Sequence, residues 1–410
     1  MARKSIGFPR AEKKENPPLA DTDLETISPA MLARLYFANH FLLHKAEHRR
    51  IIDVVDRVCG LHSQLPFTPY LSLWNRLQDF KPEMLDHALY REKSLVKTWV
   101  MRGTLHIFPS RDLPIYINAL KRMWFEHHGR FMHRPEWPSL EKRKNNLYPK
   151  IQQALSQGPL TRKKLGEKVF SALKDKTEIS NKIFSDWGGI LKETAYLGLT
   201  VFAEPCGKET CFARLDKWLP KINLDKTDEG TARRRLLLKY LHGYGPATAQ
   251  DFACWSGLLT SEAKATIQEC SAEIKEIHVQ GSKEAYWLTK KDFETLKKLN
   301  MEEKAPIRLL PKYDSYVLGH KNRARIIHKE LLQKVYRPVV GEVAATLLIN
   351  GRIAGTWAHK KASRKLTVAI EPFEKLDTET TTELKRLVED LGAFMNVEHV
   401  QIILNKQLAG

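Results

Sequence analysis

The chain of 410 residues is first characterised by what it lacks. No run of apolar residues approaches the roughly 20 needed to cross a bilayer as a helix, which argues against a helical membrane protein. The N-terminus has no apolar signal core, since Arg3, Lys4 and Arg10 mix with Glu12 and Glu15. Cysteine is scarce and odd in number, at five. That excludes a fully paired disulfide framework and points to reduced thiols in the cytoplasm. Cys206 and Cys211 make half a metal-ligand spacing at most. No second Cys or His pair matches it, so neither a metal nor a cofactor is expected. Acidic residues are in deficit: 48 Asp and Glu face 67 Lys and Arg, a formal net charge of +19. An excess of that size favours a polyanionic partner, nucleic acid first and anionic membrane second.

What remains is ordinary for a chain with a sizeable core, 42% hydrophobic and 28% charged. Length alone suggests two or three domains. Residues 1–26 are polar, contain Pro17-Pro18 and read as a flexible tail. Ser28-Pro29 is a helix start, with serine capping and proline in the first turn. Ile51, Val54, Val55, Val58 and Leu61 recur at three- and four-residue steps. They predict a second helix over about 50–64, stopped by Pro66. His62, Ser63 and Gln64 then stand at the end of a buried helix, where imidazole and amide groups hold a water or a substrate oxygen. The plainer reading of His62 is a core histidine on an apolar stripe. Short helices are expected at 70–77 and 82–90. Strand-like runs Leu95–Val100 and Thr104–Phe108 follow, joined by Met101-Arg102-Gly103. Helices followed by a hairpin with a basic tip have the order of a winged helix.

The pattern recurs. Residues 115–150 read as helical and basic, with Trp124, Phe125, Phe131 and Trp137 among Lys121, Arg122, Arg130, Arg134, Lys142, Arg143 and Lys144. That mixture suits a nucleic-acid surface or, equally, a solvated helix face. Helices near 159–169 and 186–197 precede a hairpin, Thr200–Ala203 and Thr210–Leu215. Helices from Gly245 to Trp255 and Ser261 to Ile274 precede another, Ile277–Val279 and Glu284–Leu288. From about 305 the texture turns to strands and turns, Asn350-Gly351 being a strong hairpin signal. One helix over about 376–392 precedes a last strand, Val397–Leu404. The expected architecture is α+β and helix-rich: three tandem winged-helix units at 27–115, 116–228 and 229–304, then a β-rich C-terminal domain at 305–410.

The ordered set Gly60-Leu61-His62-Ser63-Gln64, Arg76-Leu77, Trp99 to His106, Gly245-Pro246-Ala247-Thr248, Trp255-Ser256-Gly257, Leu310-Pro311-Lys312-Tyr313-Asp314 and Gly351 to Trp357 resembles the bacterial winged-helix DNA glycosylase family that includes AlkZ and YcaQ. The resemblance implies three tandem winged helices forming a concave DNA-binding surface. It also implies a monofunctional DNA glycosylase that removes alkylated bases and unhooks interstrand crosslinks. The family's catalytic signature is a Gln-x-Gln or Gln-x-Asp triplet, here His62-Ser63-Gln64. Gln64 keeps the last position, His62 departs from the first, and Ser63 stands where a small or apolar residue is usual.

The chemistry is consistent with that triplet. A purine alkylated at N7 is cationic and leaves as a neutral base, so positive charge builds on the sugar. With no carboxylate in the triplet to meet that charge, only activated lesions are expected as substrates. Neutral His62 would accept a proton from the attacking water, with activity falling as pH drops through about 6.5. Gln64 would fix that water. Ser63, Arg102, His106, Lys312, Asp314 and Arg323 are expected to face DNA, although each reads equally well as surface charge or structural bond. The expected partner is duplex DNA with alkylated or crosslinked bases, bound by a monomer in the bacterial cytoplasm at the nucleoid. The alternative is a winged-helix binder or regulator without chemistry, and a basic RNA-binding scaffold is a third reading. The triplet discriminates, because a pure binder needs no water-holding cluster. Whatever the chemistry, duplex binding is expected to weaken steeply between about 50 and 200 mM salt, as counterions are released from neutralised phosphates. Fluorescence anisotropy across that range checks it, and a flat response would exclude phosphate-dominated contact.

Overall fold

A computed structural model describes residues 26–128, 139–170, 184, 188–339 and 341–404. The expected tail lies outside the described residues except for Thr26, as do Arg130, Phe131, Arg134, Trp137 and the expected helix start at 186.

Local signals act where the sequence places them. Ser28 caps the helix Pro29–Asn39, its hydroxyl accepting from the Met31 amide. Thr248 and Asp251 form a reciprocal capping box at the start of Ala249–Ser256. Asn350 and Gly351 both adopt positive φ, 51° and 74°, as a two-residue hairpin turn of the primed type requires.

One order of elements then occurs three times. A helix leads into a short strand, two further helices follow, and a hairpin closes the segment. In the first the elements are Ile51–Arg57, Leu61–His62, Thr68–Trp74, Pro82–Asp86 and the hairpin Leu95–Trp99 with Leu105–Pro109. In the second they are Tyr148–Ala154, Leu160–Thr161, Arg162–Val169, Gly189–Tyr196 and Thr200–Cys206 with Glu209–Arg214. The third has Glu229–Tyr244, a bridge at Ala247, Ala249–Ser256, Thr260–Glu269 and Ile274–Val279 with Tyr286–Thr289. The short strand pairs antiparallel with the second hairpin strand every time: Leu61 with Ile107, Leu160 with Phe212, Ala247 with Trp287.

The C-terminal region is a five-stranded sheet in the order Arg308–Leu310, Thr346–Ile349, Arg352–Ala362, Lys365–Pro372, His399–Leu404. Helix Thr378–Phe394 carries the chain back so that the last strand runs parallel to its neighbour. A separate small hairpin pairs Tyr336–Arg337 with Glu342–Val343.

The cores do not respect the boundaries read from sequence. Ile307, Leu309, Leu347, Val368 and Leu384 share one apolar cluster with Val54, Val58, Leu73 and Leu95, so the C-terminal sheet and the first segment bury each other. Thr26–Ile27 pairs parallel with Ile274–Val279, and Ile27, Leu32 and Leu35 pack on Ile277 and Leu288. Residues 26–35 therefore complete the third segment. The basic stretch after 115 is also partly internal. Arg143 is buried in an ion pair with Glu193, and Trp124 is buried against Tyr196.

A second buried ion pair joins the first segment to the C-terminal region. Arg76 and Asp314 are both fully buried, with bonds of 2.6 and 2.9 Å. Arg76→Met, which leaves the Asp314 carboxylate buried without its cation, is expected to cost about 3–5 kcal/mol. Urea unfolding measures it. Adding Asp314→Leu is expected to recover part of that loss.

Candidate active site

The helix that begins at Ile51 ends at Arg57 and does not continue to 64 as the apolar spacing suggests. Cys59 and Gly60 turn the chain with φ of 51° and 100°. A Cβ on Gly60 would lie 3.2 Å from the Ile107 carbonyl, so glycine serves both the left-handed turn and the close approach. Leu61 and His62 then become a strand, because the first hairpin offers backbone partners that another helical turn would not reach. His62 stands opposite His106 in that register. Pro66 lies beyond the stop and did not make it.

His62 is 5% exposed. Its ring stacks on Tyr313, with centroids 5.1 Å apart and planes at 16°, and meets His106 edge-on at 5.3 Å. The Gln64 amide points at His62 Nδ1 over a long 3.5 Å. A neutral ring that accepts at Nδ1 carries its proton on Nε2, so Nε2–H becomes a donor. Arg102, at the hairpin tip with φ 53°, donates to the carbonyls of Cys254 (3.0 Å) and Trp255. Those carbonyls end the helix Ala249–Ser256, where the helix dipole is negative. Gly60, His62, Arg102, His106, Trp255 and Ser315 enclose a cavity of about 10 Å³. That is about the least space that holds one water. Burial, and secondarily the Arg102 guanidinium, lower the His62 pKa to about 4. Burial also holds His106 well below the ordinary histidine range, with His62 and Arg102 adding to it.

The remaining expected residues divide. Gln64 and Lys312 are exposed, and Lys312 pairs with Glu342 at 3.3 Å. Ser63 is buried, its amide bonded to the Leu105 carbonyl. His106 is buried with Nδ1 3.1 Å from the Thr104 carbonyl. Asp314 does not face DNA, because Arg76, Ser72 and the Tyr316 amide take up its carboxylate inside the core. Arg323 is likewise internal: it donates to the Val317 and Lys321 carbonyls and lies over the Tyr336 ring at 3.7 Å. A charged letter near a motif does not reveal whether a partner awaits it across the fold.

Three features went unread in the sequence. Tyr313, at φ 60°, is the platform for His62. Leu65 and Phe67, beside Gln64, are 40% and 37% exposed. The small hairpin carries Val339 at its turn, 98% exposed. Its signal was there, in Arg337-Pro338 and Gly341 between Tyr336 and Val343. Among the described residues no helix is long and apolar enough to cross a membrane, and no His, Cys, Asp or Glu cluster could hold a metal.

Comparison with known proteins gives this geometry a class. The sequence pattern described as DNA glycosylase AlkZ-like matches residues 55–394, from before the triplet to the last helix. The chain belongs to this family of DNA glycosylases. An interstrand DNA cross-link repair glycosylase of Streptomyces sahachiroi is 26% identical over 325 residues, 74% of this chain and 81% of the relative. The solved structure of S. sahachiroi DNA glycosylase AlkZ matches with a TM-score of 0.74 at 21% identity, covering 92% of this chain and 100% of that one, which shows a shared fold.

The lowered pKa changes the pH expectation. His62 stays neutral until pH falls through about 4, not 6.5. Folding gains nothing from this above the unfolded value of about 6.5, and loses stability below it as the unfolded ring protonates first. NMR titration of the His62 ring is expected to show a midpoint near 4. A midpoint at 6 or above would mean a wetter site than the one described.

Proposed function

We propose that this protein hydrolyses the N-glycosidic bond of N7-alkylated purines in duplex DNA, crosslinked bases included, without a lyase step. The observation that carries the reading is His62: a buried neutral imidazole on Tyr313, next to exposed Gln64, at the position of the family's triplet. The relative's role in cross-link repair supports the substrate class. We read the three helix-and-hairpin segments as tandem winged helices centred on 51–109, 148–214 and 229–289. The described parts act as a monomer on DNA in the cytoplasm.

The residues work as follows. The alkylated base departs neutral, leaving positive charge on the sugar. The electrophilic sugar carbon then needs a positioned water more than a strong base. His62 Nε2–H and the Gln64 side-chain carboxamide hold that water, as two glutamines would, and the proton it loses on bonding to the sugar carbon passes to solvent. A ring with pKa near 4 is a weak proton acceptor, so positioning is the main role of His62. Arg102 ties the site to the third segment through the Cys254 and Trp255 carbonyls. Leu65, exposed beside Gln64, offers an apolar side chain to an opened base step.

His62→Ala and Gln64→Ala are each expected to slow release of N7-methylguanine by roughly 10²-fold or more, the scale of misplacing a reacting group. His62→Gln is expected to keep activity within about tenfold of the parent, and parent activity to stay level from pH 8 down to about 5. Single-turnover base release measures all three. Parent-rate excision by both folded alanine variants would refute the proposal. Tight duplex binding with no base release on any alkylated DNA would favour the binder reading instead.

A further inference from the structure

The space at His62 admits little more than a water. A much larger cavity, about 620 Å³, opens beside Lys312, the residue next to the tyrosine that stacks on His62. Its size falls within the roughly 300–1,000 Å³ of ligand sites. The floor is the outer face of the C-terminal sheet. Thr356, Ala358 and Ala369 lie there, with Ala358 and Ala369 paired across adjacent strands. Val368 and Ile370 alternate with them and point into the core. Small side chains leave this face flat, and Phe373 adds a ring.

The rim is cationic. Lys312, Lys334 and Arg337 stand over the floor, and one carboxylate, Glu342, serves two of them at 3.3 and 3.4 Å. Lys334 is exposed and has no acidic partner among the described residues; its ammonium lies 5.2 Å from the Phe373 ring centre. Even with Glu371 also present, positive charge is in excess. A flat floor of small side chains, an aromatic ring and one cation in excess together match a single nucleotide, with base on the floor and phosphate at the rim.

We propose that this cavity is a subsite for one undamaged nucleotide, unstacked from the duplex within one step of the lesion. Its phosphate meets Lys334 and Arg337, and its base lies on the Ala358–Ala369 floor against Phe373. Charge selects this occupant over the lesion itself. Both nucleotides carry a phosphate, but an N7-alkylated base adds a positive charge that the rim repels, whereas an undamaged base is neutral and leaves its nucleotide an anion. The inference rests on the glycosylase reading above. It adds that the enzyme opens the duplex at a second position beside the damaged one.

The test uses the full chain and duplexes bearing one N7-methylguanine, with 2-aminopurine placed in turn opposite the lesion and at its 5′ and 3′ neighbours. At saturating protein, fluorescence is expected to rise severalfold at one of these positions. Ala358→Trp, which fills the cavity from an exposed position, is expected to abolish the rise. Lys334→Glu is expected to reduce it. No rise at any position on the saturated parent overturns the proposal, as does a rise that survives both variants. If Lys334→Glu weakens binding to all duplexes alike and leaves the fluorescence unchanged, the cations merely track the backbone and the subsite is again refuted. Base release by the parent is scored in parallel. Its absence counts against the glycosylase reading, whereas base release without unstacking counts against the subsite alone.

Discussion

The arrangement of the site depends on one buried ion pair. Arg76 follows the helix Thr68–Trp74 of the first segment, and Asp314 caps the short helix Ser315–Leu318 that comes after the first strand of the C-terminal sheet. Both are fully buried and bonded at two points. The residues on either side of Asp314 are the ones that matter. Tyr313 stacks on His62, and Ser315 donates to the Gly60 carbonyl at 2.9 Å. A charge pair withdrawn from water is weak grounds for net stability, because desolvation offsets most of the attraction. What it supplies is register. With Asp314 held in one place, the platform and the glycine turn are aligned from opposite sides of the same histidine.

On the proposed function, that histidine fills the family's first glutamine position with a titratable residue. In water an imidazole would be partly charged near neutral pH, and a cation there would oppose charge building on the sugar. Burial beneath Tyr313 and the nearby Arg102 guanidinium remove that difficulty by keeping the ring neutral. A neutral imidazole with Nδ1 accepting offers one N–H donor, the same kind of group as an amide. The substitution therefore preserves hydrogen bonding while changing shape.

The net charge of +19 also reads differently with the fold in hand. Arg143, Arg76 and Arg323 are inside, bonded to carboxylates or carbonyls. Arg122 reaches Glu126, Glu229 and Glu262, and Lys239 bridges Asp56 and Asp112. Arg76 and Arg122 are thus spent on joining segments, which suits a planar fork that bonds at several points. An exposed lysine without a carboxylate partner among the described residues, such as Lys334, remains to meet an anion.

Much of this was legible in the residues themselves. Apolar periodicity, capping serines and threonines, and Asn350-Gly351 are local signals, and local backbone preference decides them. They located the three hairpins, the turn at Asn350-Gly351 and the last strand to within a few residues. The triplet was legible too, as an ordered likeness spread along the chain. The conformation at the triplet was not. An apolar stripe from Ile51 to Leu61 suits a helix or a helix followed by a strand, and only the edge of the Leu105–Pro109 strand, some 40 residues on, selects the latter. Nor could the chain reveal that Asp314 and Arg323 turn inward, since their partners lie far away in sequence or on the backbone. Contacts between segments were not legible for the same reason: Ile27 finds its neighbours near 278, and Leu309 finds its own near 73. Which elements form is decided mainly within a few residues. Which faces are buried, which charges are neutralised and what surrounds His62 are decided by contacts across hundreds of residues, and those exist only once the chain has folded.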